Sequence, residues 1–253
     1  MKWKSILLLL GVLTLQIFSQ TKELPRVFDD ANKLYLDQKY DAAIQKYQSI
    51  INNGYENGEV YFNLGNAYFK TGQIAKAILN YERAKRFMPN DDDVQFNLRL
   101  ANAQLIDKVD ELPQLFIYRW LESLLTIFSL DTMIWMIYAL FLMTLGLFSW
   151  FLFAKTYEQK RFTMLGGIIS AILLGIGITN FVIQSYRESN TEYAIVMADV
   201  ANIKSAPDSS GNDLFVLHHG LKVQVLDDVN DWKKIRLADG KVGWIPENEI
   251  EII

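Results

Sequence analysis

The 253-residue sequence has no cysteine and only two histidines, His218 and His219. The first absence removes disulfides, thiolate catalysis and Cys-type zinc or iron–sulfur sites. It is compatible with an oxidising compartment without proving one. The histidines are neighbours in a strand-like stretch, so they should point to opposite faces and not share a metal. No serine lies in a nucleophile elbow, and no glycine-rich loop follows a strand. With 25 basic and 29 acidic residues the net charge is −4. No basic block of the kind that neutralises phosphates is present, so nucleic acid is not an expected partner. The acidic cluster Asp91, Asp92 and Asp93 stands at a helix start, where it serves capping better than metal or acid–base chemistry. No catalytic constellation assembles, and no cofactor or metal is expected.

Apolar runs are abundant instead. Hydrophobic residues make up 51% of the chain and concentrate in long uncharged stretches. "MKWK" followed by "SILLLLGVLTLQIFS" reads as a secretory signal over residues 1–20, with cleavage near Ser19 or Gln20. An uncleaved anchor is the other reading. Residues 132–154 and 162–186 carry no charge, and each is long enough to cross a hydrocarbon core of about 30 Å. Between them, residues 155–161 hold Lys155, Lys160 and Arg161 against Glu158, which places this loop in the cytoplasm by the positive-inside rule. With the signal cleaved, both flanking domains face away from the cytoplasm. Gly167, Ala171, Gly175 and Thr179 fall four apart in the second span. Such a small-residue face is expected to pack on the bulky first span or on another membrane protein. Residues 114–129, after the break at Pro113, form an amphipathic segment that either lies on the bilayer or docks on a neighbouring domain.

A period of 34 residues marks the N-terminal part. Ala43 realigns with Ala77, and Tyr47 with Tyr81. Leu64, Gly65, Tyr68, Ala77, Tyr81, Ala84 and Pro89 resemble the tetratricopeptide pattern, with Tyr61 in place of its leading Trp. The resemblance implies an all-α solenoid of about 2.5 repeats over residues 24–110. Gly65 and Ala77 then become points of close helix approach. It also implies a concave groove for peptide segments. Phe28, Phe62 and Phe96 are 34 apart, as are Asn32 and Asn66, and Asn63 and Asn97. Together with Phe69 these residues form the expected protein-binding groove, rings taking apolar side chains and amides bonding backbone. Packing between repeats and local hydrogen bonding are the competing roles. The basic residues of the family's carboxylate clamp are missing, so a C-terminal carboxylate is not the favoured ligand.

Residues 191–253 alternate apolar with polar residues between turn signals, as half-buried strands do. "ANIKSAP", "HHGLKVQVL" and "DWKKIRLADGKVGWIP" resemble the bacterial SH3-like domain through Asn202, Pro207, Gly220, Trp232, Gly243 and Trp244. An all-β barrel is implied, with Gly240 at a demanding turn position. Trp232 and Trp244 are candidates for a ligand surface or for ordinary packing. Six basic residues face eleven acidic ones here, which disfavours anionic glycan or lipid.

The order of signal, repeats, helical hairpin and barrel resembles the BatE branch of the Bacteroides aerotolerance proteins. The resemblance implies a multidomain membrane protein of the bacterial inner membrane with periplasmic soluble domains. It implies von Willebrand A-type partner proteins and a role in stress or oxygen tolerance. The expected function is a non-enzymatic scaffold that binds proteins. The alternative is a cell-envelope sensor whose barrel binds peptidoglycan.

Overall fold

The computed structural model describes residues 25–109, 116, 117, 120, 125 and 127–253. The expected signal, Pro113 and most of the amphipathic segment lie outside these residues. The chain divides into two compact units, one built from the N-terminal helices and the C-terminal sheet, the other spanning residues 112–192.

In the first unit five helices follow one another: α1 (25–36), α2 (Tyr40–Asn52), α3 (Gly58–Lys70), α4 (Ile74–Phe87) and α5 (Asp92–Asn102). Caps fix two of the starts. Asn57 accepts from the Val60 amide at 2.8 Å, and Asp91 from the Val94 amide at 2.9 Å, each satisfying a donor the helix leaves free. Gly65 lets α3 and α4 meet: a Cβ there would lie 2.7 Å from the Tyr81 ring and 3.3 Å from the Ala77 carbonyl. Ala43, Ala67, Ala77 and Ala84 are fully buried at the other close approaches, while Tyr47 and Tyr81 fill the wider gaps.

The sheet has the order β3-β2-β6-β5-β4-β1-β7. Its strands are β1 (Glu192–Val196), β2 (Val200–Lys204), β3 (Asp213–His218), β4 (Lys222–Val229), β5 (Trp232–Arg236), β6 (Val242–Pro246) and β7 (Ile250–Ile252). Alternate residues Ala201, Ile203, Val223, Ile235 and Ile245 turn inward and form its core, as the two-residue side-chain period requires. Gly240 holds φ +87 in the β5–β6 turn. His219 stands in the turn after β3 and not on a strand, which corrects the expectation that the two histidines alternate along one strand.

The sheet and the helices share one buried seam. Helix α4 is shielded nearly all round: Ala77, Tyr81 and Ala84 face α3, while Ala75 and Ile78 meet the β3–β4 turn at Gly220. Gly220 has φ +92, and a Cβ there would lie 2.5 Å from Leu105. Only glycine meets both the backbone and the space requirement. Ile195 of β1 joins the helical core, with Met197 and Ile253 packed against it. At the margin Lys222 pairs with Glu82 at 2.7 Å. Arg83 donates to the Ile252 carbonyl at 2.7 Å, and Arg86 to that of Ile253 at 2.8 Å. Repeats and barrel thus lie in one compact unit.

The second unit pairs α6 (Leu130–Phe153) with α7 (Tyr157–Asn190). Within them, Thr132–Phe153 and Tyr157–Arg187 are long and apolar enough to cross a membrane. The facing line on α7 runs through Thr163, Gly166, Ser170 and Gly177. Ser170 and Thr144 share a hydrogen bond at 2.7 Å, and Gly166 and Gly177 approach Leu147 and Ile137. Gly175 has nothing within 4 Å of its Cβ position. Of the stripe Gly167–Ala171–Gly175–Thr179, Gly167 comes near Leu147, at 3.9 Å from its Cβ position, while the other three are exposed, so the stripe as a whole is not the ridge that packs the hairpin. A seven-residue spacing, 163–170–177, does so, because it keeps one seam facing the partner helix.

Candidate interaction surfaces of the repeats and the barrel

The eight groove residues come together along α1, α3 and α5, the first helices of successive repeats. The amides form a repeating ladder. Tyr47 donates its hydroxyl to Asn32 Oδ1 at 2.6 Å, and Asn63 Nδ2 donates to the same oxygen at 3.1 Å. One repeat on, Tyr81 and Asn97 donate to Asn66 Oδ1, both at 2.8 Å. Burial raises the pKa of both tyrosines well above the usual phenol range, so they remain donors throughout the physiological range. The asparagines thus bind repeat to repeat. Among the described residues, Nδ2 of Asn32 and Asn66 and Oδ1 of Asn63 and Asn97 have no protein partner, so unpaired donors and acceptors recur at a regular interval along the ladder.

The aromatic members differ in availability. Phe28 and Phe62 are half-buried, their rings 6.1 and 6.0 Å from Tyr47 and Tyr81, and Phe69 packs against the same core. Phe96 is 57% exposed and is the ring most open to a ligand. Leu100, 45% exposed, occupies the place where the two earlier repeats have Asn32 and Asn66. The ladder stops there and the groove turns apolar.

On the barrel, Trp232 pairs in register with Pro246, and Lys234 with Trp244. Trp244 also opposes Lys204 of β2. Both tryptophans are half-buried on the outer face, opposite Ile235 and Ile245. Lys234 lies over the Trp244 ring with Nζ 5.8 Å from its centroid, within cation–π range. Sequence reasoning named the tryptophans and missed the lysine, although the strand period alone puts Lys234 and Arg236 on their face.

His218 is committed elsewhere: its amide and Nδ1 both meet the Asp107 carboxylate, at 2.6 and 2.9 Å. His219 Nδ1 lies 3.7 Å from Asp199. Among the described residues no three His, Asp or Glu side chains gather as metal ligands. In the second unit, an apolar recess of about 510 Å³ between α6 and α7 has Asn180 as its polar member.

These surfaces belong to an all-α tetratricopeptide solenoid and an all-β SH3-like barrel, in a chain that also carries two long apolar helices. A family model described as Tetratricopeptide repeat matches residues 58–91, and one described as Bacterial SH3 domain matches residues 199–251. No curated protein matches the chain. Among solved structures, NlpC2 from Trichomonas vaginalis is similar at 13% identity with a TM-score of 0.22, over 24% of this chain and 25% of that one. The alignment spans about a quarter of that protein's length and carries no argument about function.

Proposed function

We propose that the chain is a membrane-anchored, non-enzymatic scaffold that holds partner proteins through the tetratricopeptide groove and the SH3-like barrel. Both domain types are interaction modules, suited to protein and, for the bacterial SH3 domain, peptidoglycan binding. The observation that carries the reading is the seam along α4. The barrel rests on the side of α4 away from α3, and among the described residues no ion pair or hydrogen bond between the two parts uses a groove residue. Both surfaces therefore stay open in a fixed relation, so a complex that engages both meets them at high effective concentration. The chain resembles the BatE-type proteins in domain order. On that ground we place it in an envelope complex of the bacterial inner membrane concerned with stress or oxygen tolerance, soluble parts periplasmic, with von Willebrand A-type membrane proteins as partners.

A photoreactive residue at Phe96 of the full-length chain in its membrane tests this. Capture of a discrete set of membrane proteins, lost in Asn63→Ala/Asn97→Ala, supports the scaffold. Absence of any captured protein contradicts it. A second reading, an envelope sensor whose barrel binds peptidoglycan, is favoured by the outward tryptophans on the barrel. Sedimentation with cell-wall sacculi separates the two: robust binding at physiological salt supports the sensor.

A further inference from the structure

The barrel is acid-rich, yet its cations are not equally engaged. Lys204 pairs with Asp213, Lys222 with Glu82, Lys233 with Glu247 and Lys241 with Asp239, at 2.7–3.3 Å. Among the described residues, Lys234 and Arg236 have no carboxylate within ion-pair distance. They are two apart on β5, on the same outer face, and oppose Trp244 and Val242 of β6. Val242 is 38% exposed. On the β4 side they oppose Asp227 and Gln224. Asp227 is solvent-exposed and accepts the Asp228 amide. Four cations are neutralised in place; of the two left over, Lys234 lies above the Trp244 ring and Arg236 opposes Val242, the next outward residue on β6. Among the described residues, none of those that meet the repeats belongs to this face.

We propose that the outer face of β2, β6 and β5, centred on Trp244, Lys234 and Arg236, is a docking strip for an extended acidic segment of a partner protein. The proposal rests on the reading of the barrel as a protein-binding module and specifies the chemistry it selects. Charge complementarity names the ligand as anionic. Geometry names it as extended peptide: alternate residues on β5 are about 6.6 Å apart, the spacing of alternate side chains on an incoming strand. Carboxylates at every second position then reach Lys234 and Arg236, the backbone of the segment lies along Trp244 and Val242, and the intervening small side chains point away from the barrel. Because the field of a charge decays over about 8 Å at physiological salt, a short segment confined to the strip meets chiefly Lys234, Arg236 and the opposing Asp227, whereas an extended anionic glycan or lipid surface meets the whole acidic module.

The experiment uses the full-length protein in detergent and a fluorescent peptide repeating glutamate–valine–glutamate–alanine, with a lysine-for-glutamate counterpart and isolated sacculi as the other probes. Expected are saturable binding of the acidic peptide, weakening as salt rises, and a loss of about tenfold or more in Lys234→Glu/Arg236→Glu. Lys46→Glu/Lys70→Glu, which makes the same net-charge change in the repeats, should leave binding intact. The proposal is overturned by absence of acidic-peptide binding, by equal binding of the lysine peptide, by indifference to the strand-face variant, or by binding of sacculi alone through this face. Capture from Phe96 is read separately, so loss of the strip and loss of the scaffold reading give different results.

Discussion

Arg83, on the second helix of the central repeat, donates one hydrogen bond to the carbonyl of Ile252 and another to the carboxylate of Glu251, at 2.7 and 3.1 Å. One side chain thereby joins residues 169 positions apart and covers the outer edge of β7, where an unpaired strand would otherwise show its carbonyls. Arg83→Met keeps the aliphatic stem and removes the charged donor. It should cost about 1–3 kcal/mol of stability and speed amide exchange at β7 ahead of the rest of the sheet. Unchanged β7 protection would show that the seam holds without it.

Gly220 joins the same seam through space and not through charge. Gly220→Ala adds a Cβ at the Leu105 side chain and meets strain at φ +92. A loss of about 1–3 kcal/mol is expected, measured as the urea midpoint of the full chain. Limited proteolysis should then release repeats and barrel as separate fragments, where the wild-type chain resists.

Within the repeats, Gly65→Val forces two methyl groups against Tyr81. The expected loss is again about 1–3 kcal/mol, read as the helical unfolding transition. Asn66→Ala removes the acceptor for both Tyr81 and Asn97, two donors at once, and should cost about 1–3 kcal/mol. A partner-binding defect in Asn66→Ala is informative only beside a stability measurement, whereas Phe96→Ala, at an exposed ring, should leave the midpoint within about 0.5 kcal/mol.

Much of this was legible in the sequence, and for identifiable reasons. Gly65, Ala77 and Tyr81 follow from the 34-residue period, because each close approach recurs at a fixed helical position. Gly240 and the strands β4 to β6 follow from turn chemistry and the period of two. The seam was not legible. Glu82, Arg83 and Arg86 look like a solvated helix face, since their partners Lys222, Ile252 and Ile253 lie more than a hundred residues away and no periodicity links them. Gly220 is legible only as part of the barrel signature, and its role of admitting Leu105 depends on a contact between domains. The asparagines aligned correctly, but alignment says nothing about which of their atoms the neighbouring repeat consumes. In α7, spacing four apart and spacing seven apart are both present among small residues, and only the position of α6 chooses between them.

Glu249 gives a pH test. Its carboxylate has an oxygen shielded from solvent that has no hydrogen-bond partner among the described residues, and burial raises its pKa. A raised carboxylate pKa means the folded state binds the proton more tightly than the unfolded state. Stability then falls as pH rises from the unfolded to the folded pKa. Glu249→Gln should therefore raise the melting temperature at neutral pH, with the gain vanishing in acid below the ordinary carboxylate range. A gain that persists in acid would assign the effect to something other than ionisation.

The account depends on both interaction surfaces facing the same side of the bilayer, opposite the loop between α6 and α7. Because the chain has no cysteine, single cysteines at Asp93, Lys160 and Asp239 report position without background. Cells with a permeabilised outer envelope are treated with a membrane-impermeant maleimide. The account predicts labelling at Asp93→Cys and Asp239→Cys, with Lys160→Cys protected until the inner membrane is opened. Labelling of Lys160→Cys in sealed cells, or protection of either of the other two, would contradict it.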